Sequence, residues 1–97
     1  MTKKNNTYRL TLEQLSLVKE GAALQSPMHM EFENHDEIFG IIEIVKEKNL
    51  FGDKRHSTEF AIGLKMFSEV MLKHKTHPLF EEIFPAMGVF MKKLKNS

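Results

Sequence analysis

The chain has 97 residues with 41% hydrophobic and 28% charged residues, a composition that supports one small packed domain and excludes a disordered chain. It has no cysteine, which excludes disulfides and thiolate chemistry. The net charge of +1 gives no global pull toward nucleic acid or anionic lipid.

The N-terminus, Met1-Thr2-Lys3-Lys4-Asn5-Asn6, has no apolar stretch behind its lysines and does not read as a secretory signal. Residues 1–6 are expected to be disordered, and 1–97 to form one domain. Apolar runs such as 38–42 are far shorter than the ~20 residues needed to cross a bilayer, so a soluble, cytoplasmic chain is expected. From Tyr8 the pattern alternates, with Tyr8, Leu10 and Leu12 on one side and Arg9, Thr11 and Glu13 on the other. That is the period of a half-buried strand. Parity slips at Leu15 and Leu17, so the strand bulges near Glu13-Gln14 or ends there. Lys19-Glu20-Gly21 signals a turn. After Pro27 a second alternation sets Met28, Met30 and Phe32 inward and His29, Glu31 and Glu33 outward, which predicts an antiparallel hairpin.

At Asn34 the period becomes helical. Asn34 and Glu37 have the spacing of a capping pair, and Ile38, Ile41, Ile42 and Val45 form a stripe that stops near Asn49, with Gly52 just beyond. A second helix is predicted from Ser57 or Thr58, with the stripe Phe60, Leu64, Phe67, Met71, widened by Gly63, Met66 and Val70. It is apolar over more than half its circumference and should be central. On its opposite face Lys65, Glu69 and Lys73 read as a solvated salt ladder. His77-Pro78 starts a third helical segment with the stripe Leu79, Ile83, Met87, Phe90, Leu94. Pro85 inside it predicts a kink or break at Phe84-Pro85 before a helix to about Lys95. The fold class is therefore α+β: a hairpin followed by three helices packed on one face.

Catalytic patterns are lacking. None of Ser16, Ser26, Ser57, Ser68 and Ser97 lies in a nucleophile elbow, and the neighbouring Glu81 and Glu82 diverge by about 100° on a helix. Gly40, Gly63 and Gly88 sit in helical patterns rather than a phosphate loop, where close helix approach would compensate their cost. His74 ends the second stripe, a position that suits a helix C-cap. His74 and His77 do not share a helix face, because Pro78 disfavours helical backbone at His77. His29 and His35, near Glu31, Glu33 and Asp36, match no established ligand spacing; no metal and no cofactor are expected. Met28, Met30, Met66, Met71, Met87 and Met91 fall on inward faces and read as core.

The stretches Tyr8–Glu13 (YRLTLE), Phe32–Ile38 (FENHDEI), Gly63–Lys73 (GLKMFSEVMLK), His77–Phe80 (HPLF) and Phe90–Leu94 (FMKKL) resemble a family of small bacterial proteins catalogued as a domain of unknown function. The resemblance runs from Tyr8 to Lys95. It implies a bacterial cytosolic source and a stand-alone domain, and it carries no activity. It directs attention to polar residues that packing alone does not require: Asn34, His35, Asp36, Lys65, Glu69, Lys73 and His77. Capping, a salt ladder and turn formation are their structural explanations.

Three functions follow. The first is a protein-interaction module without catalytic activity of its own, homodimeric through the hairpin edge and away from membranes. The second is weak nucleic-acid binding through Lys73, Lys75, Lys92, Lys93 and Lys95, disfavoured by the near-neutral charge and the single tyrosine. The third is a small metal-binding or enzymatic protein built on His29, His35 and adjacent carboxylates.

Overall fold

The computed structural model describes residues 4–97. Its order is β1 (Asn6–Leu12), β2 (Met28–Asn34), α1 (Ile38–Lys48), α2 (Lys54–Lys73), a 3-10 turn (Pro78–Phe80) and α3 (Ile83–Lys95), an α+β arrangement of a two-stranded sheet followed by three helices. The described residues form two compact units, one ending at His35 and the other Asp36–Ser97.

In the first unit β1 and β2 pair antiparallel, with Tyr8 opposite Phe32, Leu10 opposite Met30 and Leu12 opposite Met28. The period-2 alternation puts these six on one face, where the Tyr8 and Phe32 rings stack at 5.5 Å. The other face is a polar ladder. Arg9 Nη2 donates to Glu31 Oε2 at 2.9 Å, Thr11 Oγ1 and His29 Nδ1 lie 2.9 Å apart, and Asn5 Nδ2 donates to Glu33 Oε2 at 3.4 Å. β1 ends at Leu12, which resolves the parity slip as an end rather than a bulge. Asn6 is its first residue, one position inside the stretch expected to be disordered, while residues 1–3 lie outside the described residues. The connection turns where expected: Gly21 has φ 78° and Ala22 N–H donates to the Lys19 carbonyl at 3.3 Å.

In the second unit α1 packs on α2. The buried residues of α1 are Ile38, Ile42 and Val45, three of the four in the predicted stripe, and the fourth, Ile41, is half-buried. Its cap differs from expectation. Asn34 is still in β2, and the N-cap is Glu37, whose carboxylate accepts from Phe39 N–H at 3.3 Å and Gly40 N–H at 2.6 Å. Asn49 closes the helix in the left-handed region at φ 49°. α2 begins at Lys54, not at Ser57 or Thr58, because Asp53 caps it by accepting from Arg55 N–H at 2.8 Å. Its buried residues are Ser57, Ala61 and Met71, an arc rotated from the predicted stripe toward small side chains. Large residues mark a stripe in sequence, but burial follows the small Ser57 and Ala61, and Phe67 of the stripe is left 41% exposed.

α2 also meets α3 at an aromatic edge, Phe60 lying 6.2 Å from Phe90, and Phe60 is 5.4 Å from Phe51 of the connection between α1 and α2. α3 itself buries no residue fully. Pro85 does not break it. Pro85 is the third residue of the helix, within the first turn, whose N–H groups have no intrahelical acceptor, so the missing donor costs nothing. Of the six internal methionines only Met71 is buried; Met66, Met87 and Met91 are half-buried, and Met28 and Met30 are exposed. Close helix approach does not explain the glycines. A Cβ on Gly63 or Gly88 would meet nothing within 4 Å, and one on Gly40 would sit 3.1 Å from Glu37 Oε2.

Candidate functional site

The polar residues singled out by sequence do not converge on one centre. Asp36, two residues before α1, and Lys65, in the middle of α2, do meet: Lys65 Nζ lies 2.8 Å from Asp36 Oδ2, with side chains 13% and 30% exposed. Lys65 is therefore not a rung of a solvated ladder. Its aliphatic stem lies along the helical layer and its ammonium reaches a carboxylate at the start of the facing helix. Glu69 and Lys73 follow one and two turns along α2. Asn34 is buried at the end of β2, and His35 follows it exposed.

His77 and His74 have local roles. His77 Nδ1 accepts from Leu79 N–H at 3.0 Å and caps the 3-10 turn that Pro78 begins. His74 is the C-cap of α2 through its backbone N–H, which donates to the carbonyls of Val70 and Met71. His29 belongs to the hairpin ladder. No group of three His, Cys, Asp or Glu among the described residues is placed to hold a metal ion.

The helical unit carries a feature that periodicity did not single out. A groove of about 460 Å³ opens along α1, α2 and α3, with Ile41, Val45, Leu64 and Met91 on its walls and Lys48, Lys65, Lys92 and Lys95 around them. Among the described residues no Asp or Glu side chain lines it. Lys48 Nζ donates to the main-chain oxygens of Lys95 at 3.3 Å and Ser97 at 3.0 Å, so the C-terminal ends of α1 and α3 meet at one end of the groove. The C-terminal lysines are divided: Lys93 lines a second hollow, of about 300 Å³, with Phe51, Phe60 and Phe90. The three-residue clustering of Lys92, Lys93 and Lys95 was visible in sequence; the apolar floor between two of them depends on how three helices come together, which was not.

Electrostatics elsewhere are mild. The backbone N–H of Arg55 holds the Asp53 carboxyl below its ordinary range, outweighing some desolvation, with the Arg55 side chain and His56 adding to the effect. No helix among the described residues is long and apolar enough to cross a membrane.

No curated protein matches the chain. Among solved structures it is similar to a protein of unknown function from Pectobacterium atrosepticum SCRI1043, with 32% identity, TM-score 0.82, and coverage of 96% of this chain and 99% of that one. Residues 6–96, nearly the whole chain, match the model of a family described as a domain of unknown function with solved structure, DUF3861, and the chain belongs to that family.

Proposed function

We propose that the protein is a small cytoplasmic interaction module that acts as a homodimer, joined through the outer edge of its hairpin. The observation that carries this reading is the two-stranded sheet itself. Among the described residues no third strand pairs with β1 or β2. Each therefore has an outer row of N–H and C=O groups over seven residues, uninterrupted by proline. A lone two-stranded ribbon is marginal, and pairing across a two-fold axis gives four strands and closes the assembly.

Charge favours the β1 edge. Two copies of β2 side by side would bring Glu31 and Glu33 against their own counterparts, and like charges across strands are destabilising. β1 offers Thr7, Arg9 and Thr11 on that face, with Arg9 already neutralised by Glu31. On the opposite face, Leu12 at 61% and Met28 at 51% exposure give a four-stranded sheet an apolar surface to share. Light scattering coupled to size exclusion at tens of micromolar protein is expected to give twice the 11.3 kDa chain mass. A mass of one chain would overturn the reading.

A further inference from the structure

We propose that the groove of the helical unit binds a single-chain amphiphile with an anionic headgroup, of the fatty carboxylate type. The argument starts from how the groove's polarity is sorted. Ile41, Val45, Leu64 and Met91 supply an apolar floor, and its volume of about 460 Å³ falls within the range of small-molecule sites. From Ile41 to Lys48 along α1 is about 10 Å, the reach of a medium-length alkyl chain.

The two ends differ. Toward the start of α1 the Lys65 ammonium is taken by Asp36 at 2.8 Å, which leaves that end without a net charge to offer. Toward the helix C-termini stand Lys48, Lys92 and Lys95, and among the described residues Lys92 and Lys95 have no carboxylate partner. An occupant that is apolar along its length and singly anionic at one tip matches this order. A bare anion leaves the floor wet; a neutral chain leaves the lysines without a partner. Compensation of the helix dipoles accounts for cations in the last turns of α1 and α3, but not for an apolar floor uncovered between them. Lysine is a flexible point charge rather than a planar fork, so the site should select headgroup charge more than headgroup shape.

The test uses the full chain, labelled with nitrogen-15, titrated separately with decanoate, decanol and decyltrimethylammonium. Decanoate is expected to shift the amides of Ile41, Leu64 and Met91 and to bind at least about tenfold more tightly than decanol, the discrimination of a headgroup contact. The cationic analogue is expected not to compete. The double variant Lys92→Gln/Lys95→Gln, which keeps Lys48 and its two main-chain contacts, should bring decanoate down to the affinity of decanol and leave decanol unchanged. Equal binding of decanoate and decanol by the unsubstituted chain, shifts confined to other residues, or no binding of decanoate would each overturn the proposal.

Discussion

Asp53 and Glu37 show how single carboxylates set helix starts in this chain. Each accepts backbone N–H groups of the first turn that have no other acceptor, Asp53 from Arg55 and Glu37 from Phe39 and Gly40. The Asp53 carboxyl titrates below the ordinary aspartate value of 3.8. A carboxyl depressed in the folded state stabilises above its unfolded pKa, and the contribution is lost as pH falls through the folded value. Asp53→Ala is therefore expected to lower the urea midpoint at neutral pH, and the gap from the parent should close below the ordinary aspartate range. A gap of the same size at pH 7 and in acid would contradict the cap's charge dependence. Neither cap was read correctly from sequence. Asn34, with Glu37 three residues on, fits the capping pattern, yet the strand continues through Asn34 and Glu37 itself caps. Asp53 precedes Lys54, Arg55 and His56, a polar first turn with no apolar period to flag it.

Among elements, the hairpin was the most legible, because period-2 alternation and cross-strand matching describe the same six apolar residues, Tyr8 with Phe32, Leu10 with Met30 and Leu12 with Met28. The stripe of α1 was equally plain. α2 was harder: the large apolar residues Phe60, Leu64, Phe67 and Met71 mark a stripe, whereas the buried residues are Ser57, Ala61 and Met71, and the burial of two small side chains depends on what packs over them and not on the period of one helix. Pro85 has the pattern of a breaker, but its place in the first turn of α3 makes it harmless there. The glycines give a direct check on how these helices pack. With open space around the positions of Gly63 and Gly88, alanine at either should stabilise the chain by about 0.5–1 kcal/mol through reduced unfolded-state freedom. Gly40→Ala should gain less, since the new Cβ crowds the Glu37 carboxylate that caps α1. Chemical denaturation of the three single variants reads this; a loss of stability at Gly63 or Gly88 would mean another surface is packed against that face.

At the scale of the whole molecule, the polar residues resolve into local tasks: Asp36, just before α1, pairs with Lys65 of α2, His77 caps a turn, and His29 holds the hairpin ladder. What remains unexplained by internal packing is surface. The hairpin leaves Leu12, Met28 and Met30 exposed, the 3-10 turn leaves Leu79, and α3 leaves Val89 and Phe90 likewise. Exposed apolar surface of this kind marks interaction sites. Because the chain has no cysteine, a single introduced cysteine can form a disulfide only with another copy. The measurement is a cysteine scan under mild oxidation, with Thr7→Cys, Arg9→Cys and Thr11→Cys on β1 and His29→Cys, Glu31→Cys and Glu33→Cys on β2. Cysteines bridge only when their Cα atoms come within about 7 Å, which paired strands allow at positions near a two-fold axis. Pairing through the β1 edge predicts a covalent dimer from at least one β1 variant and none from β2; cross-linking confined to β2, or absent from all six, would contradict it.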